Sequence, residues 1–498
     1  MRWSELAAAI GQPALPEAVG NPEVTAIAYD SRRSLPGAVF VAVPGQHYDG
    51  HDFVDAALAG GAVVAVVERP LTSDSADRLV VVPSARFALA ALAASFYNHP
   101  SQAVPVVGVT GTDGKTTTTT MLHAALSAAL GTVGSLSTVD FRVGQAIEAN
   151  LSRQTTLESL ELQSWMRQMV DQGCRAIALE ATSHGLALGR LNEIEFAGAV
   201  YTSITHDHLD FHRSWEEYFQ AKASLLDRAV SSGGFAVLNR DDARAYPRLL
   251  ARAGSRTLSY SASGDPSADL RAERVTPQGQ GIEFRAMTPA GPAPVHLKTP
   301  GRWNVGNALA ALGAGLLLEQ PLAPLVDGLA ELPAVPGRME AVDLGQAFTV
   351  IVDYAHTPEA LTLTLHELRS ATAGRLWVVF GSAGERDLAK RGEMGRIAAQ
   401  LADQVVLTSE DPRGEDPSAI IDEIWAGALA AGAEPGNDLH RDSDRSQAIR
   451  LAIGSAIPGD TVLLAGKGHE HSIIGATGAV PWDEREAAET ALRELRGL

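Results

Sequence analysis

The sequence of 498 residues has one cysteine, no long apolar run and fewer basic than acidic side chains. Cys174 cannot form a disulfide within the chain, so we expect a reducing compartment and a small, buried Cys174 side chain. No apolar run reaches about 18 residues and the first residues do not form a secretion signal, which predicts a soluble, cytoplasmic protein. The 40 basic and 59 acidic residues give a formal charge of −19, which disfavours nucleic acid or an anionic membrane as a partner.

The composition is that of an ordinary globular protein, with 45% hydrophobic and 20% charged residues. A chain of this length exceeds one hydrophobic core, and we expect about three domains, at 1–102, 103–336 and 337–498. Apolar β-rich runs alternate with helical patterns, which predicts an α/β fold with a mostly parallel central sheet. The predicted strands lie near 25–29, 38–43, 62–68, 78–83, 175–180, 196–202, 234–238, 348–353, 375–380, 404–408 and 460–465. Three predicted helices lie near 115–129, 158–172 and 215–229, and a linker is expected at 99–104.

A strand, a glycine loop and a helix start follow one another at residues 104–116. Gly111 and Gly114 allow backbone N–H groups to turn toward an anion, and the helix N-terminus adds partial positive charge. Lys115 can reach terminal phosphates, and Thr116 can ligate Mg²⁺. The segment therefore predicts an ATP site.

The match to a phosphate-binding loop is limited to its Gly-Lys-Thr core, because Val109 stands where the strict pattern has its first glycine. The glycines are not spaced as in a dinucleotide fingerprint either. An ordinary strand-to-helix connection is the alternative. The Lys-Thr-Thr that follows Gly114 favours phosphate binding.

Three polar groups follow predicted strands of the middle segment, at the edge where parallel sheets place ligands. Glu180 leaves a hydrophobic strand and can hold Mg²⁺ with Thr116, or it is a solvated acid. The histidines of 206–212 form a hydrogen-bonded surface turn or, with less support from their spacing, a zinc site. Lys222 lies on an amphipathic helix, where a lone lysine is usually solvated.

Polar loops also follow the strands of the last segment. Asp353 ends a strand and either bonds a ribose hydroxyl or caps a turn. Arg386 or Arg413 can clamp a carboxylate through two hydrogen bonds, and Asp411 or Glu470 can accept from an ammonium. Each loop alone is more often plain surface, but three loops on one sheet edge favour a site for a zwitterionic amino acid.

The order of these motifs along the chain resembles the Mur ligase family. Each motif alone is weak, and their shared order over nearly the whole length makes the likeness specific. The matching stretches are Tyr29 to Arg32, Thr110 to Thr116, Glu180 to His184, Asp207 to Asp210, Lys222, Gly301 to Asn307, Pro336 to Glu340, Asp353 to His356, Glu385 to Asp387, Asp411 to Arg413 and Gly466 to Glu470.

This resemblance implies an ATP- and Mg²⁺-dependent ligase with a UDP-sugar-binding domain (1–102), a central ATP-binding domain (103–336) and a dinucleotide-fold-like domain that receives an amino acid (337–498). It implies a monomer that uses UDP-N-acetylmuramoyl-L-alanyl-D-glutamate and a diamino acid in peptidoglycan synthesis. The implied catalytic residues are Lys115, Lys222, His208 and Glu180. The implied metal ligands are Thr116, Glu180, His208 and Lys222, the last carbamylated by CO₂. The implied ATP contacts are Gly111, Thr112, Asp113, Gly114, Lys115, Thr116, Thr117, Asn304, Arg338 and Asp353. The implied substrate contacts are Ser31, Arg32, Thr155, Thr156, Ser183 and Arg190 for the nucleotide sugar and Arg386, Asp411, Arg413, Gly466 and Glu470 for the amino acid.

The expected chemistry has two steps, in which a substrate carboxylate takes the γ-phosphoryl group and the amine of the diamino acid then displaces phosphate. The sequence leaves the diamino acid open among lysine, ornithine and meso-diaminopimelate. Users of meso-diaminopimelate in this family usually carry Asp-Asn-Pro-Arg, whereas this chain has Glu410-Asp-Pro-Arg413, so that Arg413 favours a distal carboxylate and Asp411 a distal ammonium. The alternatives are a folylpolyglutamate synthetase-like ligase, which does not account for the first hundred residues, and a catalytically silent ATP-binding relative.

Overall fold

The computed structural model describes residues 1–12, 15–17, 19–33, 36–45, 48–72, 76–152, 154–205, 209–278 and 281–496. They form two compact units, Met1–Ser259 with Ala310–Leu325, and Tyr260–Leu309 with Val326–Leu498. Both units mix helices with sheets, and the predicted α/β class is confirmed. None of the helices in the described part of the chain combines the length and apolar character that a membrane crossing requires.

The first hundred residues form a parallel sheet of four strands in chain order, β1-β2-β3-β4. The two middle strands are fully buried, as expected of a parallel sheet covered on both faces. The predicted linker at 99–104 is largely a one-turn helix instead, because Pro100 occupies its first turn, where a missing N–H costs nothing. The elements are α1 (Trp3–Ala9), β1 (Ala26–Ala28), β2 (Ala38–Val41), α2 (Val54–Ala59), β3 (Val64–Val67), β4 (Leu79–Val81), α3 (Ala85–Phe96) and α4 (Pro100–Ala103).

The first unit continues with the sheet that carries the phosphate loop. Its elements are β5 (Val106–Thr110), α5 (Lys115–Leu130), β6 (Gly134–Leu136), β7 (Asp140–Val143), β8 (Ala146–Ala149), α6 (Ser159–Asp171), β9 (Ile177–Glu180), α7 (Ser183–Ala187), β10 (Phe196–Tyr201), α8 (Leu209–His212), α9 (Trp215–Ser231), β11 (Phe235–Asn239) and α10 (Tyr246–Leu250). The strands run in the order β11-β10-β5-β9-β6-β7-β8, and the first five are parallel. The carboxyl ends of β5, β9 and β10 therefore meet at one edge, where α/β sheets bind ligands.

The segment that follows α10 begins with strands that the sequence did not predict. β12 (Thr257–Ser261), β13 (Leu270–Gln278), β14 (Gly281–Thr288) and β15 (Gly291–Leu297) precede α11 (Trp303–Leu317) and α12 (Leu322–Glu331). β13, β14 and β15 form an antiparallel meander. Every second residue of β15 is exposed. Two prolines in β15 and the polar character of its neighbours weakened the strand pattern.

The last segment forms a six-stranded sheet in the order β16-β17-β21-β18-β19-β20, parallel except at β16. Its four predicted strands are confirmed. The elements are β16 (Glu340–Ala341), β17 (Thr349–Asp353), α13 (Pro358–Ala371), β18 (Leu376–Phe380), α14 (Ala389–Leu401), β19 (Gln404–Leu407), α15 (Pro417–Ala430), β20 (Leu439–Arg441), α16 (Arg445–Ser455), β21 (Thr461–Ala465), β22 (Ser472–Gly475), β23 (Gly478–Pro481) and α17 (Glu484–Arg496).

Candidate active site

The phosphate loop joins the buried strand β5 to helix α5. Gly111 and Gly114 have φ values of +155° and +79°, and a Cβ on Gly111 would overlap the Thr202 hydroxyl. No side chain of the described residues caps the start of α5 at Gly114. The first N–H groups of a 16-residue helix thus face outward from a glycine turn, which fits an anionic phosphate.

Lys115 and Thr112 organise the mouth of this loop. Lys115 is half-buried, and its ammonium donates to the Thr112 carbonyl at 2.7 Å. Thr112 in turn bonds the buried Tyr218 hydroxyl at 3.0 Å and accepts from the Thr205 N–H at 2.9 Å. The Thr202 hydroxyl donates to the Asp113 carbonyl at 2.5 Å, so the loop is fixed on the segment that follows β10.

A hydroxyl and a carboxylate meet beneath the loop. The Thr116 hydroxyl lies 3.1 Å from both carboxylate oxygens of Glu180, which is 1% exposed at the end of β9. Glu180 also accepts from the Thr138 N–H at 2.9 Å and the Thr138 hydroxyl at 3.0 Å. The side-chain oxygens of Thr116 and Glu180 are the ligand type that Mg²⁺ prefers, so these residues fit that ion. Thr138 was missed by sequence analysis, since a lone threonine after a short strand carries no signal.

Lys222 is 1% exposed, so the solvated alternative for this lysine is wrong. Helix α9 directs its ammonium to the Gly111 carbonyl at 2.6 Å and places it 4.6 Å from the centre of the Tyr218 ring. Lys222 therefore contacts the phosphate loop directly. Thr117 is buried in the first turn of α5, one position beyond Thr116.

His208 lies outside the described residues, as do the other members of 206–208, so the structure does not test their predicted metal role or the zinc alternative. In the part of the chain that the structure describes, no group of three or more His, Cys, Asp and Glu side chains could hold a metal ion.

Four of the predicted sugar contacts surround the Glu180 strand end. Thr156 donates to the Glu180 carbonyl at 3.1 Å, and Thr155 accepts from the Thr138 hydroxyl at 2.9 Å. Ser183 is buried at the start of α7, and its hydroxyl has no partner among the described residues. This group therefore adjoins the proposed metal ligands.

Arg190 joins this group through Glu158. Its guanidinium donates to Glu158 at 2.9 Å and to the Thr156 carbonyl at 3.0 Å. The same carboxylate pairs with Arg86 at 3.2 Å. Sequence analysis missed Glu158 and Arg86, because their pairing spans 72 positions.

The structure does not bring Ser31 and Arg32 into contact with the group around Glu180. They lie on a one-turn 3₁₀ helix, where the Arg32 side chain is 87% exposed and forms a forked pair with Asp30 at 2.9 and 2.8 Å.

The other predicted ATP contacts belong to the second unit. Asp353 accepts from the Ala355 N–H at 2.9 Å, which is turn-capping geometry, and from the Met339 N–H at 2.7 Å. Arg338 is half-buried, with its guanidinium 4.4 Å from the centre of the Tyr354 ring. The Asn304 amide donates to the Pro300 carbonyl at 2.6 Å and its oxygen accepts from Asn307 at 3.0 Å.

The amino-acid loops meet at a lysine that the sequence did not single out. Lys467 is fully buried, and its ammonium lies 2.8 Å from Asp411 and 2.5 Å from Glu470. The Asp411 oxygen that receives this bond also accepts from the Ile474 N–H at 2.9 Å. The structure thus brings Asp411, Glu470 and the loop after Gly466 together, but Lys467 partly neutralises both acids.

Arg413 and Glu410 flank this cluster. Arg413 is half-buried with φ +55°, and its Nε is buried without a partner among the described residues. Glu410 is buried, one of its oxygens has no described partner, and burial raises the pKa of its carboxyl group. Burial and the nearby Arg338 hold the pKa of His469 well below its usual value. Arg386 is exposed on the neighbouring loop.

Three family models match successive segments of the chain. The Mur ligase family catalytic domain matches residues 23–97, the Mur ligase middle domain matches 109–315, and the Mur ligase glutamate ligase domain matches 337–468. The chain is 44% identical to the UDP-N-acetylmuramyl-tripeptide synthetase of Roseiflexus sp. (strain RS-1), over 99% of both chains. It is 40% identical to the UDP-N-acetylmuramoyl-L-alanyl-D-glutamate--2,6-diaminopimelate ligase of Geobacillus kaustophilus, over 95% of this chain and 96% of that one. A solved structure of a UDP-N-acetylmuramoyl-L-alanyl-D-glutamate--2,6-diaminopimelate ligase is also similar. It is 30% identical to this chain, the TM-score is 0.66, and the match covers 95% of each chain.

Proposed function

The chain belongs to the Mur ligase family, and we propose that it joins a diamino acid to the D-glutamate of UDP-N-acetylmuramoyl-L-alanyl-D-glutamate. It is an ATP-dependent, amide-bond-forming ligase of peptidoglycan synthesis, as its family and relatives show. The folylpolyglutamate alternative loses its support because a Mur ligase domain also matches residues 23–97. We retain the boundaries 1–102, 103–336 and 337–498 as the proposed domains.

The observation that carries this proposal is the group of Lys115, Thr116, Glu180 and Lys222 around one glycine loop. A catalytically silent relative has no need of these four side chains in contact with the loop. Lys115 would release the Thr112 carbonyl and pair with the terminal phosphates, where it offsets charge that develops during phosphoryl transfer.

Thr116, Glu180, His208 and carbamylated Lys222 are the proposed ligands of Mg²⁺. When bound, this ion supplies charge neutralisation at the transferring phosphoryl group. Carbamylation of the Lys222 ammonium forms a bond between its nitrogen and the carbon of CO₂ and releases two protons. The modification replaces a buried cation by a carboxylate, which suits a site that already holds the Glu180 carboxylate.

The acceptor substrate is proposed to bind around Thr155, Thr156, Ser183 and Arg190, with Ser31 and Arg32 at its nucleotide end. The buried, unpartnered Ser183 hydroxyl supports a polar ligand at this place. A carboxylate held there lies beside the Glu180 strand end, as attack on the terminal phosphate requires.

The diamino acid is proposed to bind at Arg386, Asp411, Arg413, Gly466 and Glu470. The unpartnered Nε of Arg413 supports recognition of a carboxylate, while the contact of Asp411 with Lys467 reduces its capacity to accept an ammonium. This favours meso-diaminopimelate over lysine and ornithine. We propose that Asn304, Arg338 and Asp353 provide the remaining contacts to ATP.

A single-turnover assay with UDP-N-acetylmuramoyl-L-alanyl-D-glutamate, ATP and each of the three diamino acids tests this proposal. We expect phosphate and a tripeptide product with one of them, and loss of ADP formation in Lys115→Ala. Phosphate release with none of the three, or ADP formation at the wild-type rate in Lys115→Ala, would contradict the assignment.

A further inference from the structure

Two loops of the second unit carry the arginines proposed to bind the diamino acid. The first loop (residues 381–388) follows β18 and carries Arg386, and the second loop (408–416) follows β19 and carries Arg413. The two loops touch at their backbones, since the Gly384 N–H donates to the Asp411 carbonyl at 2.8 Å. A Cβ on Gly384 would overlap the Pro412 carbonyl oxygen, so the two backbones leave no room for a side chain at this position.

An ion pair between a buried arginine and a partly exposed glutamate bonds these loops to each other. Arg391, at the start of α14, has a side chain that is 1% exposed, and its two terminal nitrogens each lie 3.0 Å from an oxygen of Glu415. The same guanidinium donates to Glu423 on α15 at 3.2 Å and to the Ala383 carbonyl at 3.4 Å. Glu415 in turn accepts from the Glu385 N–H. One arginine and one glutamate therefore bond the backbone of the first loop, the second loop and the helix beneath.

Both arginine-bearing loops contain a residue in a backbone conformation that resists an L side chain. Glu385, immediately before Arg386, has φ +56°, and Arg413 itself has φ +55°. Non-glycine residues keep this conformation only where their surroundings hold it. The N–H of Glu385 is bound by Glu415, and the N–H of Arg413 donates to the Ile474 carbonyl at 2.8 Å.

The helices below the loops form a rigid base. A Cβ on Gly395 of α14 would overlap the Ile424 carbonyl oxygen, and a Cβ on Gly427 of α15 would overlap the Gly392 carbonyl oxygen. The two helices thus pack backbone to backbone, which fixes where Arg391 projects.

We propose that Arg391 and Glu415 are positioning residues that set the placement of Arg386 relative to Arg413, and so determine the affinity for the diamino acid. This inference rests on the proposed function of the two arginines. Neither positioning residue needs to touch the substrate. Their expected signature is a loss confined to the diamino acid, because the hydrogen bonds of this pair reach Ala383, Glu385 and Glu423, none of which is a proposed ATP or sugar contact.

The test uses full-length Arg391→Lys and Glu415→Gln, each alone and combined. Arg391→Lys keeps the charge but loses the two-pronged geometry, and Glu415→Gln keeps the shape but loses the charge. We expect KM for the diamino acid to rise roughly ten-fold in each single variant, because both act through one contact. The double variant should be no worse than the poorer single one. KM for ATP and for the UDP-linked substrate, and single-turnover ADP formation, should stay within about two-fold of wild type.

Arg396→Lys is the matched control. Arg396 lies on the same helix, but its ion pair with Glu393 at 3.8 Å is exposed, so all kinetic constants should be unchanged. Equal losses in all three KM values, additive losses in the double variant, or a diamino-acid KM no higher than that of Arg396→Lys would each overturn the inference. Failure of the proposed function is distinguishable, because the wild-type enzyme would then form no product with any of the three diamino acids.

Discussion

The phosphate loop and the amino-acid loops both lie where parallel strands end, but they hold their ligand-facing groups by different means. The phosphate loop relies on backbone, since Gly111 and Gly114 have positive φ values and the N-terminus of α5 follows directly. The amino-acid loops rely on charged side chains from two chain segments, in which Asp411 and Glu470 converge on the buried Lys467.

This difference determines which substitutions each region tolerates. A backbone site depends on the absence of side chains at a few contiguous positions. A side-chain site depends on a charge balance between distant residues, in which removing one partner leaves another buried and unpaired. We therefore expect the first region to fail in phosphoryl transfer and the second in affinity and stability.

Glu180→Gln should give the largest effect, because it removes the carboxylate that accepts from Thr116 beneath the phosphate loop while keeping its shape. We expect kcat to fall by about 10³-fold, the order seen when a key electrostatic contact to a transferring group is lost. Steady-state kinetics with a Mg²⁺ titration measures this. Thr138→Val, which removes only a neighbouring hydroxyl, is the control and should lose less. A kcat for Glu180→Gln within ten-fold of wild type would count against the metal assignment.

Paired glycine substitutions compare the two regions directly. In Gly111→Ala the new Cβ overlaps the Thr202 hydroxyl, which is tied to the Asp113 carbonyl, so we expect kcat to fall by about 10²-fold. In Gly466→Ala, also at positive φ, the new Cβ lies 2.7 Å from the end of the flexible Glu410 side chain, which can move. We expect a smaller loss, about ten-fold and in KM for the diamino acid. The reverse ranking would remove the distinction between the regions.

Lys467→Met tests the charge balance of the amino-acid loops. The substitution leaves Asp411 and Glu470 without their shared cation, so we expect the free energy of unfolding to fall by about 3 kcal/mol. Denaturant unfolding measures this change. Adding Asp411→Asn, which removes one of the two stranded charges, should restore part of the loss. A double variant less stable than Lys467→Met would show that the pair is not coupled as the geometry indicates.

The sequence predicted most of the parallel strands, but not β6 or β20, because buried runs are local patterns, and it predicted the glycine loop before α5 from Gly-Lys-Thr. It placed Thr116 and Glu180 together for the same reason, since adjacent parallel strands end at one edge. It did not find Thr138, Glu158 or Lys467. Their roles come from pairings that no local spacing encodes, and the antiparallel meander of β13 to β15 was lost because alternating, proline-containing strands resemble surface loops.

Glu410→Gln should give the smallest effect, and its size depends on pH. Burial raises the pKa of Glu410 above its value in the unfolded chain, so the folded state binds the proton more tightly. The stability that this proton contributes is complete below the unfolded pKa and is lost as pH rises through the folded pKa. A neutral glutamine escapes that loss. We therefore expect Glu410→Gln to raise Tm over wild type by about 2 °C at pH 8, with no gain near pH 4, in paired thermal melts. A gain that is larger at pH 4 would reverse the assigned direction, and would mean that the positive charges of Lys390 and Lys467 outweigh burial at this carboxyl group.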